Sequence, residues 1–133
     1  MGSQVNNEAL IRTAWAAREK AYAPYSGFAV GAAILTEQGE VFSGCNVENV
    51  SFGLTICAER SAATAAVQAG QRKFAAIAIV AEAESPVVPC GACRQVLAEF
   101  SPGMRIYSAG TSARGEWALS ELLPLPRQGI LGA

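Results

Sequence analysis

The hydrophobic rhythm of the chain changes several times, and each change marks an element. Leu10, Ile11, Ala14, Trp15 and Tyr22 recur at helical spacing, so the spacing predicts an amphipathic helix to about Tyr22, with Asn6 and Asn7 available to cap its start. "APYSG" then breaks the pattern. Two short apolar runs follow, "FAVGAAILT" and "EVFSGCNV", joined through Glu37, Gln38 and Gly39; they predict an antiparallel hairpin. Beyond a loop through Asn49 to Gly53, an alanine-rich stretch from about Cys57 predicts a second helix closed by Gly70. "KFAAIAIVA" is continuously apolar, as a buried strand should be.

"ESPVVP" reads as a loop, and Cys90 opens a third helix that reaches about Phe100. "MRIYSAG" predicts a strand, "GEWAL" a last edge strand, and "SELL" a short helix ending at Pro124. The order α-β-β-α-β-α-β-β argues for an α/β fold of three layers, helix, mixed sheet and helix. No repeat, low-complexity tract or linker divides the sequence, so residues 1–133 are expected to form one domain.

Composition narrows the classes. A chain of 133 residues can bury a core without disulfides, and 51% hydrophobic against 16% charged residues describes a globular protein. Lys+Arg 10 against Asp+Glu 11 leaves net charge −1 with no basic run, which argues against nucleic acid as a partner. No stretch approaches the roughly 18 consecutive apolar residues of a membrane span. The start "MGSQVNN" has neither the pattern of a signal peptide nor, with Asn6, that of a myristoylation site. The expected location is cytoplasmic. In that reducing compartment four cysteines suggest metal or catalytic groups over disulfides.

The chemistry concentrates in two places. Cys57 and Glu59 of "TICAERSA" lie in the first turn of the second helix, and Cys90 and Cys93 of "VVPCGACRQVL" open the third. Residues three apart share a helix face, and a helix N-terminus stabilises thiolates. If both helices begin at one sheet edge, three thiolates converge, and three protein ligands plus a water is the pattern of a catalytic zinc. Glu59 would then stand near that water as a proton carrier and not as a ligand. The separate readings are blander. "PCGAC" alone resembles a thioredoxin-like dithiol, so a dithiol oxidoreductase using Cys90 and Cys93 stays in competition. Cys57 alone would be a small buried hydrophobe, and Glu59 alone a complement to the helix dipole. A closed structural site with Cys45 as fourth ligand is a further alternative, although Cys45 reads better as a packed thiol.

Taken together, "APYSGFAVGAAILTEQGEVFSGCNVENVSFGLTICAERSA", "PCGACRQVLAEF" and "ELLP" resemble the small, three-cysteine, zinc-dependent cytidine deaminases over most of the chain. The pairing of such a zinc with a glutamate is a general signature of zinc deaminases. The resemblance implies one zinc per chain on Cys57, Cys90 and Cys93, with Glu59 as general acid and base. It implies that Asn46 and Glu48 hold the ribose hydroxyls and that Phe28 stacks on the pyrimidine. The Ala58 N–H would meet the 2-carbonyl, and the Val88 carbonyl would accept from the 4-amino group. Arg60 would hydrogen-bond the thiolates, restoring acidity to a site that three thiolates make net negative.

The implied reaction is hydrolytic deamination of free cytidine and 2′-deoxycytidine in pyrimidine salvage, in a homotetramer whose sites border neighbouring subunits. A carboxylate at the ribose, as implied for Glu48, disfavours a phosphate there. Deamination of blasticidin S is a related alternative that "NVEN" with "YSGF" fits less well. One departure stands out: three residues past the proline of "ELLP" the family most often has an aromatic, and this chain has Arg127. If Arg127 reaches the pocket, and Pro126 does not instead turn the tail so that Arg127 is solvated, the site is sealed less well and would tolerate N4-substituted cytidines.

Overall fold

The computed structural model describes residues 7–126. Helix α1 (Asn7–Arg18) leads into strands β1 (Val30–Thr36) and β2 (Val41–Cys45), and a 3-10 turn (Phe52–Leu54) precedes helix α2 (Ala58–Gln68). Strand β3 (Phe74–Ala81), helix α3 (Gly91–Phe100), strands β4 (Arg105–Ala109) and β5 (Arg114–Ala118) and a short helix α4 (Leu119–Leu122) follow. The five strands form one mixed sheet in the order β2-β1-β3-β4-β5, with only the β3–β4 pair parallel. A parallel pair needs a crossover, and α3 supplies it. Among the described residues no helix is long and apolar enough to cross a membrane.

The two apolar clusters show why the sheet is covered on both faces. Successive strand residues point to opposite sides. Ala32, Ile34, Ile77, Ile79 and Ile106 join α2 and α3 through Ala58, Ala62, Ala66 and Leu97. Ala33, Leu35, Ala76, Ala78 and Val80 instead meet Leu10, Ile11 and Ala14 of α1. Both parities of β1 and β3 are therefore apolar, which is what the unbroken runs in the sequence encode. Truncating one of these fully buried isoleucines to alanine would cost about 2–5 kcal/mol.

Two glycines let the helices lie close to the sheet. A β-carbon on Gly31 would fall 2.0 Å from the Ala14 carbonyl oxygen of α1. One on Gly44 would fall 2.5 Å from the Ala62 nitrogen and 2.8 Å from the Ala58 oxygen of α2. The first turn of α2 is thus pressed onto β2 at a fixed depth. The other end of α2 closes as the sequence predicts. Gly70 has φ 91°, its N–H donates to the Val67 carbonyl, and the Gln71 N–H donates to that of Ala66.

The first helix is shorter than its apolar spacing predicts. It ends at Arg18, and Tyr22, expected on its buried face, is 54% exposed. The reason is a competing bond: the Tyr22 N–H donates to the Asn46 carbonyl, and the Tyr22 carbonyl accepts from the Glu48 N–H. This isolated bridge to Val47 draws the chain off the helix axis and toward the loop after β2.

Candidate active site

Cys57 and Cys90 occupy the residues immediately before α2 and α3, both with extended backbone (φ −73°, ψ 155° and φ −66°, ψ 168°). Neither side chain caps its helix. The orphan N–H groups of both helix starts consequently face the same small region, where they favour negative sulfur. Pro89 is buried and needs no N–H partner at the start of α3. Cys93 lies one turn into α3, fully buried. The Sγ atoms of Cys57, Cys90 and Cys93 all lie within 4.8 Å of one another, and those of Cys90 and Cys93 are 3.5 Å apart.

That donor set fits zinc. Tetrahedral coordination with Zn–S near 2.3 Å spaces the sulfurs by about 3.8 Å, a distance bracketed by the values here. All four cysteines are free thiols. Cys57, brought in from a second helix, makes the Cys90–Cys93 pair part of a three-thiol group and not an isolated dithiol. Cys45 sits at the end of β2 opposite Gly31 and does not join the cluster. Three ligands leave the fourth position open, which suits a catalytic ion better than a structural one.

The surrounding charge is arranged to match. Arg60 Nη2 donates to the Cys57 Sγ at 3.5 Å and to the Thr55 carbonyl at 3.2 Å. Arg60 Nε is buried and has no partner among the described residues, so the guanidinium keeps a donor in reserve beside the sulfurs. The Cys57 thiol is lowered to about 5, first because Cys93 hydrogen-bonds to it and then because Arg60 does. Cys93, the donor in that bond, is pushed up. Arg60 is raised by the same contact with Cys57.

Glu59 is 5% exposed, and burial pushes its carboxyl up to about 7, with the Cys57 charge adding to the rise. A carboxyl in that range can both take and give a proton near neutral pH. Its neighbour Ala58 is fully buried at the first position of α2, one of the positions whose N–H has no partner within the helix.

The remaining residues picked out by the sequence lie in the segments after α1 and β2 and in the loop before α3. Asn46 is 8% exposed; its Oδ1 accepts from the Val30 N–H at 2.9 Å and its Nδ2 donates to the Phe28 carbonyl at 2.8 Å. Glu48 draws the 25–28 loop around itself. Its Oε1 accepts from the N–H groups of Tyr25 and Ser26, and its Oε2 from the Ser26 hydroxyl. These bonds, led by that of Ser26, hold its carboxyl below the usual range. A carboxylate has about four acceptor sites; three are taken, and one on Oε2 is left. Phe28 is 40% exposed and Val88 38% exposed. Arg127 lies outside the described residues.

Sequence reading missed Ser26. Its hydroxyl donates to Glu48 and accepts from the Phe28 N–H at 2.9 Å, so one oxygen links the two. The local signal was present, because a serine bonding the N–H two residues on is a common turn device. It also missed Arg94, whose Nε donates to the Pro89 carbonyl at 2.7 Å and Nη1 to the Leu122 carbonyl at 3.0 Å. No local pattern marks that contact.

Residues 4–109 match the family model described as the cytidine and deoxycytidylate deaminase zinc-binding region. A cytidine deaminase from Sporosarcina psychrophila is 51% identical over 121 residues, which cover 88% of each chain. The crystal structure of a cytidine deaminase from Burkholderia pseudomallei superposes with a TM-score of 0.86 at 52% identity, covering 89% of this chain and 96% of that one. A blasticidin-S deaminase from Bacillus cereus is more distant, 33% identical over 104 residues. Three thiols at two helix starts, a buried glutamate beside them and these likenesses converge: the chain belongs to the zinc-dependent cytidine deaminase family.

Proposed function

We propose that the chain deaminates free cytidine and 2′-deoxycytidine to uridine and 2′-deoxyuridine, releasing ammonia, as a step of pyrimidine salvage. The observation that carries the reading is the buried Glu59 carboxyl, two residues after Cys57, beside a three-thiol cluster that leaves one coordination position free. In this reading Cys57, Cys90 and Cys93 hold the metal, and residues 1–133 act as one domain. Zinc, when bound, supplies the Lewis acidity that brings a water within reach of deprotonation near neutral pH. Glu59 takes the proton of the water that adds to C4, passes it to N3, and later gives a proton to the departing amine. Arg60 offsets the negative charge of the thiolates.

Recognition follows from the loops. The Val88 carbonyl accepts from the 4-amino group and the Ala58 N–H meets the 2-carbonyl. Phe28, held by Asn46 and Ser26, stacks on the ring. Asn46 and the remaining acceptor of Glu48 take the ribose hydroxyls, and an ionised Glu48 repels a phosphate there. The exposed apolar side chains of Tyr25, Val50, Phe52, Leu54 and Ile56 support burial against further copies of the chain in a homotetramer. The composition supports a cytoplasmic setting without membrane or nucleic acid partners. Arg127 in place of an aromatic favours some tolerance of N4-substituted cytidines.

The test is ultraviolet-monitored turnover on a panel. Cytidine and 2′-deoxycytidine should be converted, whereas cytidine 3′-monophosphate, single-stranded DNA and blasticidin S should be poor substrates. Efficient deamination of an oligonucleotide would remove the role given to Glu48, and a preference for blasticidin S would replace the nucleoside reading.

A further inference from the structure

We infer that Ser108, in the middle of the sheet, is a positioning residue that sets the carbonyl meeting the amine to be lost. The inference rests on the proposed assignment of the Val88 carbonyl as that acceptor. Ser108 lies on β4, 1% exposed, flanked by the buried Tyr107 and Ala109. A hydroxyl stripped of water on a strand is costly unless it is bonded. Its partner lies outside the sheet: Ser108 Oγ donates to the Val87 carbonyl at 2.6 Å.

The segment it reaches needs such support. Residues 82–90 belong to no strand or helix, and Pro86 and Pro89 have no N–H to give. Arg94 supplies the second hold, through its 2.7 Å bond to the Pro89 carbonyl. The carbonyls on either side of Val88 are thus fixed by side chains from two packed elements, β4 and α3. Val88 precedes a proline, which confines it to extended backbone, and successive carbonyls of an extended chain point to opposite sides. With the carbonyls of 87 and 89 held against the protein, that of 88 is turned away, toward the open side of the loop that runs into Cys90. Ser108 and Arg94 act on the acceptor without touching substrate.

The experiment compares Ser108→Ala and Ser108→Thr with wild type, using cytidine as substrate and uridine as competitive inhibitor. Uridine carries oxygen at the 4-position and has no N–H there to give Val88. Losing the Ser108 bond should lower kcat/KM for cytidine about tenfold, the worth of roughly one hydrogen bond, while the Ki of uridine stays within about twofold. Zinc content should be unchanged, and Ser108→Thr, which keeps the hydroxyl, should restore turnover. Two outcomes overturn the inference while leaving the Val88 assignment in place. One is an unchanged kcat/KM in Ser108→Ala; the other is an equal loss for cytidine and uridine, which marks a merely structural serine. A different result would remove the Val88 assignment itself, and the inference with it: wild-type enzyme binding uridine as tightly as cytidine.

Discussion

Replacing Gly44 by alanine adds one methyl group at the point where β2 supports the first turn of α2. The new β-carbon would lie 2.5 Å from the Ala62 nitrogen, 2.8 Å from the Ala58 oxygen and 2.8 Å from the Ser61 β-carbon. Ordinary contact begins near 3.4 Å, so the shortfall is 3.4 − 2.5 = 0.9 Å, and two of the three obstructing atoms are backbone that cannot rotate aside. The helix must withdraw by most of that distance. Overpacking of this kind costs about 1–3 kcal/mol. In a chain of this length that should lower the midpoint of thermal unfolding by roughly 3–12 °C.

Activity should suffer more than stability. Cys57 immediately precedes α2 and Glu59 lies in its first turn, so both shift relative to Cys90 and Cys93. A displacement approaching 1 Å at a reacting centre costs about 10²-fold. The assay is kcat/KM for cytidine per bound zinc, with thermal melts on the same samples. Gly31→Ala is the matched control, since its β-carbon meets α1 on the opposite face of the sheet. It should destabilise at least as much while leaving zinc-normalised turnover nearly intact. Gly103→Ala, with nothing within 4 Å, should do neither. The reasoning is refuted if Gly44→Ala keeps wild-type melting and turnover, or if Gly31→Ala and Gly44→Ala lower kcat/KM equally.

Three further outcomes are expected. Cys45→Ser should keep one zinc per chain and most activity, whereas Cys57→Ser should lose both; stoichiometric zinc loss from Cys45→Ser would favour a closed four-cysteine site. Glu59→Gln keeps the size of the side chain but not its proton chemistry. It should retain zinc while turnover falls by about 10²–10⁴-fold or more, and near-native kcat would remove Glu59 from the mechanism. Ser26→Ala breaks the oxygen linking Glu48 to the Phe28 N–H. It should raise KM for cytidine about three- to tenfold with kcat little changed, the worth of one or two hydrogen bonds, and an unaltered KM would show that the loop holds its shape without the serine.

The elements were legible wherever the signal is local. Alanine spacing from Ala58, the closing Gly70, the unbroken apolar run of β3 and the proline before Cys90 each carry their own instruction, and all match the fold. The convergence of Cys57 with Cys90 and Cys93 was expected on the condition that both helices begin at one sheet edge, and the thiols do meet. What escaped depends on partners distant in sequence. Tyr22 fits a helical face, but hydrogen bonds to Asn46 and Glu48 outweigh its apolar spacing. The Phe52–Leu54 turn has no apolar period to announce it. Glu48, assigned to the ribose from resemblance alone, proves also to organise the 25–28 loop. Ser108 is an unremarked hydroxyl in an apolar strand until the loop at Val87 is laid across it.

The placement of Cys57 and of Cys90 with Cys93 on two helices also dictates when the metal can be captured. These helices lean on the same sheet face, which β1, β3 and β4 build together. The parallel β3–β4 pair, reached through a crossover, is the kind of contact a chain makes slowly. Before it forms, Cys57 and the Cys90–Cys93 pair would be joined only by the intervening chain and should hold zinc weakly. Once it has formed, an ion held by all three thiols would tie the starts of the two helices together. Metal loading is therefore expected late in folding, and the binding free energy should resist the opening of α2 from α3. Zinc held in this way would act as a latch: chelation should hasten thermal unfolding as well as abolish turnover.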